Sequence, residues 1–368
     1  MKNTSSKILL SAVLGLTSLT ALAQQQPVDP MRIQGVQAGR DPNREAFVRA
    51  NCSNPVAPID GSGGMRRLVA DPVPFANEPV AGIPGIIERG KQWRMIWEGS
   101  GNNTDSPIAT ENGILMAMND ISQIWEIRLD GTQRVKYTDT YTGGAMALTP
   151  DGTLYVGERA LNRGIWQVEP RQLFTNTMNG EPLECYGPGV LNDLVADEKG
   201  GMYMTMGGVY YANPQGEVSG PYGDVGGNGI TISPDGGTLY VTGRLPGAQP
   251  PANLALPAGA PMPSGGIVAF DIQPDGSLTN QRQFAWAGRD GMQVDTQGRI
   301  YTPDDGAWVI DPNNGAFIGY IPAPPGTHGL HFGGANKDIL FAITLAVQTS
   351  VWVIDTQVQG FQVGEWEE

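Results

Sequence analysis

The chain has 368 residues, a formal net charge of −14 and only two cysteines. An acidic protein of this kind repels phosphate backbones, which excludes nucleic acid as the expected partner. The length suffices for a domain with its own core, and the acidity reads as solubility plus attraction for cations.

Residues 1–23 carry Lys2 and Lys7, an apolar core over 8–22, and Ala21-Leu22-Ala23 as a small-residue cleavage site. This predicts a cleavable signal peptide cut after Ala23, because the apolar core is short and interrupted by Ser and Thr, unlike a membrane span. The mature chain is then periplasmic or secreted, with a net charge of −16 once both lysines are removed. No later stretch reaches the length of a transmembrane helix, so no membrane partner is expected.

Residues 24–85 are rich in Pro, Gly and polar side chains and form an N-terminal arm. Asp41-Pro42 is a good helix opening and predicts one short helix through Glu45 to Ala50. Residues 86–98 (IIERGKQWRMIWE) alternate well enough for a strand.

From there one sentence is written six times. Copies begin at Asp105 (DSPIATENGILMA), Gly144 (GAMALTPDGTLYV), Asn192 (NDLVADEKGGMYM), Asn228 (NGITISPDGGTLYV), Asp290 (DGMQVDTQGRIY) and His328 (HGLHFGGANKDILF). Each holds two alternating runs joined by a tight turn. The spacing lies near the forty-odd residues of a four-stranded propeller blade. The fold class expected is all-β, a six-bladed β-propeller over 86–368 with an N-terminal extension. The sixth copy leaves little chain after it, so the 86–98 strand is expected to complete the last blade and remove its exposed edges.

The innermost strand of each blade runs beside the central channel, so the first residues of the copies form a ring: Asp105, Gly144, Asn192, Asn228, Asp290, His328. Carboxylate and amide oxygens converging on one axis suit a hard cation, Ca²⁺ before Zn²⁺, Mg²⁺ or Mn²⁺, and thiolates are absent. Gly144 supplies no ligand and reads as a gap for substrate entry. His328 stands where a proton acceptor would serve. His331, three along the same strand and on the other face, reads as structural.

Asn192-Asp-Leu-Val-Ala-Asp, the Asn228 run through NGITISPDGGTLYV, Asp290-Gly-Met-Gln-Val-Asp and Phe332-Gly-Gly together resemble the senescence marker protein, gluconolactonase and luciferin-regenerating enzyme family, within the six-bladed calcium-dependent phosphotriesterase-like propellers. The resemblance spans roughly residues 86–356. It implies a divalent cation held by a first-blade Glu, two Asn and an Asp, matched by Asp105, Asn192, Asn228 and Asp290. Two departures stand out: Asp105-Ser-Pro107 replaces a Glu-Gly-Pro, one methylene shorter, and Val190 and Leu191 stand where sugar-lactone members have an Arg.

The expected chemistry is Lewis-acid hydrolysis of a lactone or ester, with Asp290 or His328 taking a proton from water. A phosphotriesterase or non-hydrolytic enzyme on the same ring, or a non-catalytic ligand-binding propeller, is the alternative. The links after the second strands, at 119–122, 158–163, 243–265, 304–306 and 344–349, are expected pocket walls, which nominates Asn119, Arg159, Arg244 and Asp304 for a small-molecule substrate. The long 243–265 link, rich in Leu, Met and Pro, reads as a lid with an apolar underside. In an oxidising compartment Cys52 and Cys185 read as a disulfide tying the arm to the loop between the second and third blades.

Overall fold

The computed structural model describes residues 32–55, 74–100, 105–345 and 348–367. The predicted signal peptide lies outside them. Among the described residues, no helix is long and apolar enough to cross a membrane.

Six four-stranded antiparallel sheets follow one another around an axis. The inner strands are Ile108–Thr110, Gly143–Leu148, Leu194–Ala196, Ile230–Ile232, Gln293–Val294 and Thr327–Gly333, for blades 1 to 6 in that order. Each blade then steps outward through strands two, three and four in chain order, apart from the last. This is the six-bladed propeller that the repeat predicts.

The turn between the first two strands explains why the repeat is so regular. Asp197 accepts backbone N–H bonds from Lys199 and Gly201 at 2.8 Å each, and Asp295 does the same for Gln297 and Arg299. In other blades Thr149 with Asp151, and Ser233 with Asp235, brace the same turn through their hydroxyls. A side-chain acceptor two residues ahead of the bend is what holds such a turn. Gly200, at φ +84°, supplies the left-handed position that the turn needs. Between blades the core is aliphatic and aromatic; Tyr301 of blade 5 meets Phe332 of blade 6 edge-to-face at 4.9 Å.

Blade 6 is closed by the N-terminal strand Arg94–Ser100, which pairs antiparallel with Gln348–Asp355 through a bulge between Met95 and Trp97. Closure by this region was expected, but only its second half is strand. Residues 83–87 turn instead, with Ile83 donating to the Ile87 carbonyl at 2.9 Å, and Ile86 and Ile87 bury beneath blades 5 and 6. Their apolar side chains leave the alternating pattern because both face the core.

The helix of the arm is Arg44–Asn51, with the Asp41 carboxylate accepting from Asn43 N–H in the turn ahead of it. A disulfide joins Cys52 to Cys185, with 5.4 Å between Cα atoms. It ties the arm to the loop that precedes blade 3. At the far end of the chain, residues 357–366 cross the base of the propeller. Phe361 N–H donates to the Val294 carbonyl at 2.9 Å, Ala109 N–H donates to Gln362 Oε1 at 2.7 Å, and Lys136 lies 4.7 Å from the Trp366 ring centroid. That strap bridges blades 5 and 1 and closes the channel opposite the ring.

The disulfide spans 133 positions, so its loss releases a long loop in the unfolded chain. We expect Cys52→Ser/Cys185→Ser to cost about 2–5 kcal/mol of unfolding free energy. Urea titrations of both proteins without reductant measure this, and equal midpoints would show that the disulfide contributes nothing to stability.

Candidate metal centre

The ring forms because neighbouring inner strands hydrogen-bond where they begin. Asp105 N–H donates to the Gly144 carbonyl at 2.9 Å, joining blades 1 and 2, while Gly291 and Gly329 form a parallel bridge joining blades 5 and 6. Asp290 and His328 each stand one residue before that bridge and are therefore neighbours. Gly229 is tight against the Asp290 backbone: a Cβ there would lie 2.3 Å from the Asp290 carbonyl oxygen.

Asn192, Asn228 and Asp290 are half-buried, whereas Asp105 and His328 are buried. The Asn228 amide donates to the Arg289 carbonyl at 3.2 Å, and Gly291 N–H donates to Asp290 Oδ1 at 3.1 Å. Asn192 Oδ1 and Asn228 Oδ1 are buried acceptors with no hydrogen-bond partner. An orphaned buried acceptor costs about 1–3 kcal/mol, and two at equivalent places in successive repeats are a donor set that a hard cation satisfies. Among the described residues, no three His, Cys, Asp or Glu side chains gather as a metal cage. A cation held here relies on the asparagine oxygens.

The centre is also crowded with carboxylates. Burial, then the Asp105 and Asp193 charges, hold the Asp290 carboxyl well above the usual carboxylate range. Burial and then Asp105 push Asp193 up to about 7, despite bonds from Ser106 Oγ, Ile230 N–H and Leu194 N–H. Like charges in a desolvated site cannot all ionise, and a cation would relieve them. In its chemistry the donor set therefore fits a divalent ion.

Asp193 and Ser106 did not emerge from the sequence, although each directly follows a ring residue, at Asn192-Asp193 and Asp105-Ser106. The register held the signal: in each case a second polar residue stands between the ring residue and an apolar inner strand.

Arg159 departs most from expectation. It is fully buried rather than lining a wall, and its guanidinium donates to Asp105 Oδ2, to the Asn192 carbonyl, and through Nε to the Leu191 carbonyl at 2.8 Å. The Gly144 gap is filled by this group, since a Cβ at Gly144 would lie 2.1 Å from Arg159 Cζ.

Two other nominated pocket residues are committed to the scaffold. Asn119 is buried; its amide donates to the Thr142 carbonyl at 2.7 Å and its oxygen accepts from Gln37. Asp304 is buried and accepts from Ser264 N–H and Oγ, Gly265 N–H and Gly288 N–H, fastening the end of the long link. Sequence could not separate these from substrate contacts, because the link faces the mouth but its polar side chains turn back to orphaned backbone groups. Arg244 is half-buried, donates to the Gly265 carbonyl at 2.8 Å and stacks 5.7 Å from the Trp286 centroid, which also makes it a brace of that link. The apolar residues of the link are only partly covered: Leu245 packs on the core and Pro263 is buried, Leu254 and Leu256 are half-buried, and Met262 is exposed.

Beneath the ring lies a cavity of about 60 Å³, bounded by Ser106, Met146, Leu194, Gln293, His331 and the strap at Gln362. It is sized for a few water molecules. His331 is buried against it, with its pKa pushed down to about 3 by burial and by His328.

A family model for the SMP-30/gluconolactonase/LRE-like region matches residues 104–346. The chain belongs to this family. The match takes in all six ring positions. A gluconolactonase from Xanthomonas campestris is similar in structure, with a TM-score of 0.58 and 22% identity over 78% of this chain and 99% of that one. A calcium-binding protein, regucalcin, from Agrobacterium tumefaciens gives a TM-score of 0.55 and 17% identity over 75% of this chain and 97% of its own. At such identities these likenesses establish the shared fold. Comparison with curated proteins finds no match.

A histidine buried in its neutral form must be charged on unfolding in acid. Between its ordinary pKa near 6.5 and the folded value of about 3, the unfolded chain binds more protons, so His331 stabilisation is complete above pH 6.5 and is lost as pH falls towards 3. Asp193, raised from 3.8 to about 7, acts in the opposite sense across a largely overlapping window, but it is present in both proteins and cancels in their difference. We therefore expect the difference in unfolding free energy between wild type and His331→Gln to shrink by about 1.4 kcal/mol per pH unit on acidification through that range. Urea unfolding of both proteins from pH 7 to pH 4 reads it directly, and a pH-independent difference would contradict a buried neutral imidazole.

Proposed function

We propose that this protein is an exported, metal-dependent hydrolase of the lactonase type, opening a lactone or ester at a divalent cation, with Ca²⁺ the first choice. The observation that carries the reading is the pair of buried, unsatisfied amide oxygens of Asn192 and Asn228, set in family-matched positions beside Asp290. The family match over 104–346 supports lactonase-type chemistry. A solved relative described as a gluconolactonase and another described as calcium-binding supply the analogy for substrate class and ion. Export rests on the leader at 1–23 and accords with a disulfide between Cys52 and Cys185.

Asn192, Asn228 and Asp290 would hold the cation. When bound, it supplies Lewis-acid polarisation of the carbonyl that is to be attacked. The chain's residues supply positioning and proton transfer. Asp290 lies in the ring, and His328 stands next to it across the Gly291–Gly329 bridge. These two are the groups proposed to take a proton from water. The closed base of the channel leaves the ring side as the entrance, and half-burial of Asn192, Asn228 and Asp290 keeps that entrance reachable. Inorganic cation and neutral organic substrate both enter there.

Calorimetric titration of Ca²⁺ into the metal-stripped mature chain, followed by assay against lactones, aryl esters and phosphotriesters, tests the reading. Saturable binding and metal-dependent turnover of lactones are expected, with Asp290→Ala losing at least about 100-fold in turnover, the scale on which removing a transition-state electrostatic contact acts. Turnover confined to phosphotriesters would move the reaction class, and turnover unchanged by metal removal would contradict the proposal.

A further inference from the structure

The family pattern makes the first-blade acid a metal ligand, and the ion pair at Asp105 argues against that role in this chain. Asp105 Oδ2 is taken by the Arg159 guanidinium, and neither side chain is reachable by solvent, at 3% and 0% exposure. The arginine does not sample this place casually. Its Nε and Nη2 are fixed on the carbonyls of Leu191 and Asn192, so the backbone of blade 3 sets its position. Gly144 makes the space, because any side chain there would overlap the guanidinium.

We propose that Arg159 takes the place of a blade 2 side chain in the ring and removes Asp105 from the coordination set, leaving Asn192, Asn228 and Asp290 as the protein ligands. This deepens the proposed metal site and rests on it. A guanidinium stays protonated throughout the physiological range, so it competes with a dication for the same carboxylate and repels that dication across the centre. Asp105 and Arg159 cancel each other, and Asp290 remains the one uncompensated carboxylate among the ligands. A bound dication is then left with about one unit of positive charge, whereas two carboxylate ligands would leave it neutral. Such a centre favours a ligand that carries or develops negative charge on oxygen, as a lactone carbonyl does on attack and as its carboxylate product does afterwards. Asp105 and Arg159 are accordingly positioning residues. Their shared geometry also accounts for the shortened side chain: Asp105 reaches a guanidinium that comes to it.

Calorimetric Ca²⁺ titration of metal-stripped wild type, Asp105→Asn, Asp290→Asn and Arg159→Gln tests this without measuring turnover. Circular dichroism and thermal melts establish that each variant is folded, and the equally neutral Arg159→Met replaces Arg159→Gln if the latter is not. Asp290→Asn should lose about 100-fold, whereas Asp105→Asn, which removes no ligand but leaves the Arg159 charge unpaired, should lose no more than about tenfold. Arg159→Gln should bind about tenfold more tightly, since Asp105 is freed and the repulsion is gone. Loss of affinity in Asp105→Asn equal to that in Asp290→Asn would overturn the inference while leaving the hydrolase reading in place. Binding by Arg159→Gln but not by wild type would support the inference and sink the hydrolase reading. Absence of binding in all four would overturn both.

Discussion

A propeller holds its central residues in register only if the circle of sheets is tied at its ends, and here that tie is the antiparallel pairing of Arg94–Ser100 with Gln348–Asp355. The strand nearest the start of the fold becomes the outer strand of the last blade. Without it blade 6 would present an open edge, and the contact between Gly291 and Gly329 that sets Asp290 beside His328 would depend on blade 6 alone. The strap over 357–366 adds a second tie across the base, from blade 5 to blade 1. Geometry at the mouth is thus imposed by backbone pairing remote from it, leaving the ring side chains free to be chosen for chemistry.

Those choices are electrostatically expensive. Asp105, Asp193 and Asp290 share a desolvated centre; burial and then the Asp105 charge raise both Asp193 and Asp290, while Asp105 is paired with a buried arginine. A fold selected for stability alone would place apolar or small residues there. The unsatisfied oxygens of Asn192 and Asn228 add to the strain. Uncompensated polar groups concentrated at one mouth are the pattern of a site built for a ligand that completes it.

The repeat made the fold legible, because blade turns depend on local chemistry: Asp197 and Asp295 brace their turns through neighbouring N–H groups, and the residues concerned are close in sequence. The ring followed from the same register. What sequence could not deliver was any contact between distant links. Arg159 reaches Asp105 across 54 positions, and Asp304 reaches Ser264 across 40. In both cases a polar residue on a mouth-facing link satisfies the interior instead of facing solvent, and no local pattern distinguishes the two. Gly144 was misread for the same reason: an absent side chain looks like empty space until the residue that fills it is known. Residues 86–93 failed differently, as alternation predicts a strand whether the apolar groups lie on one face of a sheet or pack around a turn.

The central claim is that oxygen atoms of Asn192, Asn228 and Asp290 converge on one cation. A crystal structure grown with Ca²⁺, with anomalous scattering to identify the ion, tests it most directly. The account predicts one peak at the mouth, within about 2.3–2.6 Å of the side-chain oxygens of those three residues, with the Asp105–Arg159 pair unbroken. A mouth with no ion at saturating Ca²⁺, or an ion bound elsewhere on the acidic surface, would contradict it.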